Sequence, residues 1–190
     1  MTRSVTTFLW FDTQALPAAR HYVATFPRSR ITAIDRRGGK VLTVAFELDG
    51  QAFIALNGGP HYKLTPAVSM FVPCRDQREI DARWKRLGRG GKPMRCGWIE
   101  DRFGLSWQII PAELPALIRH PAAMQAMLGM VKIDLAALRA AAGAAVSQPA
   151  ARAAPARRSA RPAPRARRPG RRPARAPTAP RRPSAPGRRR

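Results

Sequence analysis

A chain of 190 residues, 45% of them hydrophobic, is long enough to bury one core, but its formal net charge of +24 is far from that of ordinary soluble domains. The 15 arginines after residue 150 have no acidic neighbour, while the other 20 basic residues and all 11 acidic residues come earlier. The chain has no apolar run of membrane-spanning length, no signal-peptide core and only two cysteines. We therefore expect a cytoplasmic protein with reduced thiols rather than a membrane, secreted or zinc-binding one.

The first part of the chain predicts a strand, a helix and three further strands. Residues 5–11 alternate as a strand does, and the next residues have helical spacing up to Pro27, with Thr13 as the expected helix cap. The following strands are expected at 29–35, 41–48 and 51–56. Asp49-Gly50 is a strong two-residue hairpin signal between the last two.

The same order of elements begins again after a Gly-Gly-Pro loop. We expect a strand at 67–72, a helix at 76–87 capped by Asp76 with Glu79, and strand residues from 94 to 110. The stretch 96–111 has the pattern of a β-hairpin, with its turn at Asp101 to Gly104. Short apolar helices are predicted at 112–118, 122–130 and 133–142.

These elements predict an α+β fold of two tandem βαβββ modules, at about 4–57 and 66–110, with a helical extension at 112–143. Each sheet should curl and need another sheet to complete a cavity. Residues 144–190 consist almost entirely of Ala, Pro and Arg, a composition that predicts a disordered basic tail.

Two motifs in this order carry a family resemblance. Asp101-Arg102-Phe103-Gly104 is followed by Ser106-Trp107-Gln108, and Leu56-Asn57-Gly58-Gly59-Pro60-His61 lies upstream. Over roughly residues 4–140 the chain resembles the PhnB-like, 3-demethylubiquinone-9 3-methyltransferase-like branch of the vicinal oxygen chelate superfamily, which includes glyoxalases, bleomycin-resistance proteins and dioxygenases. The resemblance implies curled mixed sheets around a cavity.

The resemblance also implies where a metal would bind. Superfamily enzymes hold a divalent metal with His or Glu from four strands, and the matching positions here are Thr6, Asn57, Ala67 and Gln108. None of the four is ionisable, and neutral amide and hydroxyl oxygens bind divalent cations weakly. We therefore expect no cofactor and no tightly bound metal. A metal-dependent lyase or dioxygenase stays as an alternative.

The expected ligand pocket combines polar and aromatic side chains of several strands. Its predicted members are Thr6, Phe8, Trp10, Glu47, Asn57, Ser69, Ser106 and Gln108. Phe8 and Trp10 could equally be core residues, and Glu47 could be solvated. His61 is the candidate general base, with a structural loop histidine as the alternative.

A glycine-rich segment argues against the activity in the family's name. A nucleotide or S-adenosylmethionine site needs its glycines between a strand and a helix, whereas Gly88-Arg89-Gly90-Gly91 follows a helix. We therefore do not expect methyl transfer.

The arginine tail has two interpretations. A flexible polycation binds nucleic-acid phosphates without reading bases, or the tail is compositional drift. The arginines that would contact nucleic acid are Arg157, Arg158, Arg167, Arg168, Arg171, Arg172, Arg181 and Arg182.

The leading hypothesis is a small-molecule-binding protein, and the sequence leaves open whether it catalyses a reaction. We expect a homodimer, because the Met124, Met127, Leu128 and Met130 cluster is very apolar. The main alternative is a nucleic-acid-associated protein that acts through its tail on a dimeric scaffold.

Overall fold

Residues 5–147 of the chain are described by a computed structural model, and they contain strands and helices in the order strand, helix, three strands, repeated once and followed by helices. In chain order the elements are β1 (Thr7–Phe11), α1 (Ala15–Thr25), β2 (Arg30–Arg37), β3 (Lys40–Leu48), β4 (Gln51–Asn57), β5 (Ser69–Cys74), α2 (Gln77–Leu87), β6 (Lys92–Pro93), β7 (Trp98–Glu100), β8 (Ser106–Pro111), α3 (Leu114–Leu117), α4 (Pro121–Gly129) and α5 (Leu135–Ser147). Within this range, no helix has the length and apolar character needed to cross a membrane. Of the predicted tail at 144–190, residues 144–147 belong to α5 instead, and the remainder lies outside the described residues.

The two sheets share one topology, which confirms the predicted α+β fold with repeated βαβββ modules. The first sheet has the order β1-β4-β3-β2 and the second β5-β8-β7-β6. In each sheet the first strand pairs in parallel with the last, and the remaining pairs are antiparallel. A parallel pair needs a long crossover connection, and the helix of each module lies within that connection.

The first sheet has one face covered by α1, which we call its helix face. Val44 and Phe46 of β3 are buried there, opposite Ala55 and Phe53 of β4. Small residues such as Ala19 let α1 approach this face closely. The opposite face, which we call the open face, carries the residues that alternate with these. They are Phe8, Trp10, Ala45, Glu47, Ile54 and Leu56.

The start of α1 differs from the sequence prediction. Thr13 was expected to cap this helix, but that prediction is wrong, because the residue in the cap position is Gln14 and its side chain makes no capping hydrogen bond. The Ala15 N–H instead donates to the Asn57 Oδ1, 2.7 Å away, at the end of β4. The predicted cap of α2 is confirmed, since the Asp76 Oδ1 accepts from the Glu79 N–H at 2.8 Å.

The predicted hairpin is also confirmed, and its turn is built around a buried carboxylate. β7 and β8 pair antiparallel, with Ile99 opposite Trp107. The Asp101 Oδ1 accepts from the N–H groups of Phe103 and Leu105, at 2.8 and 3.1 Å. Asp101 is only 3% exposed, so the turn is held by an interior side chain.

The helix faces of the two modules share one aromatic core. Tyr22 of α1 lies between Phe46 of the first sheet and Trp107 of the second, with ring centroids 6.3 and 5.1 Å away. Phe26 stacks on Trp107 with ring centroids 5.3 Å apart. The open face of each sheet therefore lies on the side away from this shared core.

The helical extension packs against the second module. The Gln77 amide of α2 accepts from the Leu135 N–H and donates to the Ile133 carbonyl, at 2.9 and 3.1 Å. Met127 and Met130 pack against the core, and Leu128 is 45% exposed. Two of the four residues in the cluster predicted to drive dimerisation therefore pack against the core of their own chain.

Candidate functional site

The open face of the first sheet brings together Phe8, Trp10 and Glu47, with Thr6 immediately before β1. Phe8 is 55% exposed. The Trp10 indole is fixed, because its Nε1 donates to the Gly59 carbonyl at 2.8 Å and its ring meets Tyr62 edge-on at 4.9 Å. The fixed Trp10 indole and the exposed Phe8 ring thus give apolar surface on the same face as the Glu47 carboxylate.

The glycines after Asn57 make this arrangement possible. A side chain at Gly58 would overlap the Trp10 ring, so the indole can lie across the loop only when this residue is glycine. Glu47 is not free on the sheet, since it forms an ion pair with Arg30 at 3.1 Å.

The second sheet also has an open face, the one opposite Trp107 and Ile109. It carries the other polar residues of the predicted pocket. The Gln108 Nε2 donates to the Ser69 Oγ at 2.8 Å. Ser106 lies beside Ser69 on the neighbouring strand, and its buried hydroxyl has no hydrogen-bond partner among the described residues. Phe71 lies opposite Gln108 and is 56% exposed.

Asn57 and His61 do not lie with the other predicted residues. Asn57 is in register with Phe11, on the helix face, where its Oδ1 caps α1 and its Nδ2 donates to the Val41 carbonyl at 3.1 Å. His61 is exposed in the loop after β4. The structure thus gives Asn57 a structural role and leaves His61 at the surface.

A groove of about 840 Å³ runs between the two modules, within the range of small-molecule sites. Phe26, Phe53 and Trp107 contribute apolar surface to its lining. Of the residues predicted for the pocket, Ser69 alone lines this groove. Its charged residues are largely neutralised in pairs, which are Arg28 with Asp49, and Arg75 and Arg83 with Glu79.

The residues at the four metal positions do not fit a divalent cation. Asn57 uses both ends of its amide in the protein, and the Gln108 amide donates to Ser69. Thr6 offers only a hydroxyl, and Ala67 offers no side-chain ligand. Across residues 5–147, no group of three or more His, Cys, Asp or Glu side chains is placed to hold a metal.

The arrangement is suited to binding more than to nucleophilic chemistry. Burial raises the pKa of the Cys74 thiol to about 12, so this cysteine stays protonated and unreactive at neutral pH. The open faces offer aromatic rings, hydroxyls and an amide, which recognise a ligand by shape and hydrogen bonds.

Sequence reasoning missed two groups of residues. Asp101 was assigned only to turn chemistry. Its position six residues before Trp107, across the hairpin turn, could have suggested a buried hydrogen bond. Arg89 and Arg102 were not considered together, because only the folded chain brings the loop after α2 against the hairpin.

Two curled four-stranded sheets built from βαβββ repeats define a protein of the glyoxalase, or vicinal oxygen chelate, fold. The sequence profile of the family described as 3-demethylubiquinone-9 3-methyltransferase matches residues 3–110, more than half of the chain. The chain belongs to this PhnB-like family of the vicinal oxygen chelate superfamily.

The chain is also similar to several solved structures. The chain is similar to a Bacillus cereus PhnB protein, a putative 3-demethylubiquinone-9 3-methyltransferase, with 30% identity and a TM-score of 0.54, covering 57% of this chain and 98% of that one. A Pseudomonas aeruginosa protein has 16% identity and a TM-score of 0.49, with 58% and 97% covered. A possible glyoxalase from Bacillus cereus has 15% identity and a TM-score of 0.39, with 55% and 96% covered. No curated protein matches the chain.

Proposed function

We propose that this protein binds a small organic molecule between the open face of the first sheet in one copy and the open face of the second sheet in another. The observation that carries the proposal is the pair of aromatic rings Phe8 and Phe71, which are 55% and 56% exposed on the two open faces. Exposed aromatic rings beside polar groups are typical of ligand-binding surfaces.

The need for a second copy follows from the shared core. Because Tyr22 joins the helix faces of both sheets, the open faces lie on the far sides of the sheets within one chain. A homodimer would bring Phe8, Trp10 and Glu47 of one copy towards Ser69 and Gln108 of the other. It would also cover apolar surface that is costly to leave in water.

Methyl transfer is not part of the proposal. The glycines at 88–91 follow α2 and so do not form the strand-to-helix turn of a nucleotide site. We propose a cytoplasmic protein, supported by two cysteines that are both free thiols.

Native mass spectrometry of the full chain tests the proposal. The wild type should be a dimer at micromolar concentration and carry a co-purified small molecule, and Phe8→Glu should yield a monomer that has lost this molecule. Leu128→Glu is the matched control, because Leu128 is also exposed but lies on α4. A monomeric wild type, or a dimer broken by Leu128→Glu and kept by Phe8→Glu, would overturn the proposed site.

The alternative nucleic-acid function is supported by charge alone, since the 15 arginines after residue 150 lack any acidic neighbour. A chain ending at Ser147 should lose most retention on duplex DNA at low salt. If it binds with the same salt dependence as the full chain, the tail is not the nucleic-acid-binding part.

A further inference from the structure

A second, smaller hollow of about 350 Å³ lies beside the end of α1, where the two modules meet. It is lined by His21, Ala24, Thr25, Arg86, Arg89 and Arg102. Three of these six residues are arginines from α2, the loop after it and the hairpin turn, and none is acidic. The hollow is therefore strongly positive.

The three arginines of the hollow form no ion pair, unlike five other arginines among the described residues. Arg28, Arg30, Arg75, Arg83 and Arg139 each form an ion pair with a carboxylate. Among residues 5–147, no carboxylate forms such a pair with Arg86, Arg89 or Arg102. The three cations line one hollow without a paired carboxylate, so the hollow would attract an anion.

Glycines let the loop that carries Arg89 pack against the hairpin that carries Arg102. A side chain at Gly91 would overlap the carbonyl oxygen of Glu100, so the loop approaches the hairpin closely only with glycine there. Gly90 lies in van der Waals contact range of the Arg102 side chain, and the Arg102 guanidinium lies 4.8 Å from the Phe103 ring centroid. Packing thus holds the loop of Arg89 against the hairpin and the Arg102 guanidinium over the Phe103 ring.

The carbonyl and carboxylate oxygens near the hollow already accept hydrogen bonds from the protein. The Ala24 carbonyl at the end of α1 accepts from the Arg86 Nη1 at 2.6 Å, and the Thr25 carbonyl accepts from Arg83. The Asp101 carboxylate points inward, to two backbone N–H groups and the Trp107 indole. These groups therefore oppose an incoming anion less than free carbonyls and carboxylates would.

His21 also lines the hollow. Its Nε2 is buried and has no hydrogen-bond partner among the described residues. Burial, together with Arg102, lowers the pKa of His21, while Asp101 acts in the opposite direction. An anion beside Arg102 would offset the effect of this cation on the imidazole.

We propose that this hollow binds the phosphate group of a small phosphorylated molecule, with Arg89 and Arg102 as its main ligands. Guanidinium groups donate paired hydrogen bonds that match phosphate oxygens, and such charge-assisted bonds are stronger than neutral ones. Arg86 would supply a further contact. A hollow of this size admits one phosphate with a small organic part. This site is separate from the open faces.

Calorimetric titration of the full chain with inorganic phosphate and with phenyl phosphate tests the proposal at fixed ionic strength. The variant Arg89→Gln/Arg102→Gln is compared with Arg37→Gln/Arg78→Gln, which removes the same charge at exposed positions outside the hollow. The tail is identical in all forms, so the difference between the variants reports the hollow alone. Arg89→Lys/Arg102→Lys keeps the charge but loses the paired hydrogen bonds.

The Gln variant should lose affinity for both anions by about tenfold or more, because charge-assisted hydrogen bonds are lost, and the control should not. The Lys variant should fall between them. In the wild type, the His21 imidazole resonances should shift as phosphate is added. Equal affinity in the two Gln variants, an unmoved His21 signal, or a difference seen with duplex DNA but with neither phosphate compound would overturn the proposal.

Discussion

The Asp101 carboxylate accepts a hydrogen bond from the Trp107 indole, with 2.8 Å between Oδ2 and Nε1. The other oxygen of Asp101 accepts from two N–H groups of its own turn. One buried side chain therefore fixes both the turn of the hairpin and the orientation of the tryptophan that joins the two modules.

Replacing the Asp101 carboxylate should lower the stability of the fold. Asp101→Ala leaves the Leu105 N–H and the Trp107 indole without partners in a buried site, and should lower the free energy of unfolding by roughly 3 kcal/mol. Urea denaturation measures the change. Asp134→Ala is the control, because Asp134 is exposed and caps α5 by accepting from the Ala137 N–H, a bond worth about 1 kcal/mol. Equal losses in the two variants would show that Asp101 is no more than a turn residue.

The second prediction concerns the start of α1. Asn57→Ala removes the acceptor for Ala15 and the donor to Val41, and should lower the free energy of unfolding by about 1 to 2 kcal/mol. Thr13→Ala should change it by less than about 0.5 kcal/mol. Thermal and urea unfolding of the two variants measure these losses. If Thr13 were the cap, Thr13→Ala would lose more unfolding free energy than Asn57→Ala.

The third prediction concerns pH. Burial and the neighbouring Arg102 lower the pKa of His21 from 6.5, with Arg89 acting in the same direction, and Asp101 and a backbone contact with Arg86 acting against it. Below about pH 6.5 the unfolded chain therefore binds a proton that the folded chain resists, so this residue makes stability fall as pH falls.

His21→Gln should remove this contribution, and the exposed His61→Gln should not. Unfolding free energies measured between pH 7.5 and about 5.5, the range around an ordinary histidine pKa, give the comparison. A His21 variant with the same pH slope as the wild type would contradict the pKa direction.

The fourth prediction concerns metals. The purified protein should carry no stoichiometric divalent metal, and chelator should leave its melting temperature unchanged, since a bound metal would add to stability. Gln108→Glu alone should not create a site, because Thr6 and Ala67 still offer no anionic ligand. About one tightly held metal per wild-type chain would contradict this and favour the metal-dependent alternative.

Elements that depend on local patterns could be predicted from the sequence. The alternation along β3, the hairpin after Trp98 and the Asp76 cap each rest on residues a few positions apart. The cap of α1 could not, because Asn57 lies 42 residues from Ala15 and capping rules consider only neighbours in sequence.

The candidate site was harder to predict for a related reason. Alternation put Phe8 with Trp10 in the first strand and turned Glu47 away from the Val44 and Phe46 stripe, and the register of the sheet then puts all three on the open face. Which face α1 covers depends on tertiary packing, so the sequence pattern could not show that Asn57 lies on the helix face. The meeting of Arg89 with Arg102 depends on the approach of two loops that no periodicity encodes.

The position of Trp107 also bears on how the chain folds. Its ring belongs to the second module but contacts Tyr22 and Phe26 from the first. Neither half would retain its complete aromatic core if the chain were cut in the loop after β4. Separate fragments should expose apolar rings and either aggregate or associate by fragment complementation. The change in tryptophan fluorescence after mixing would give the rate of that association.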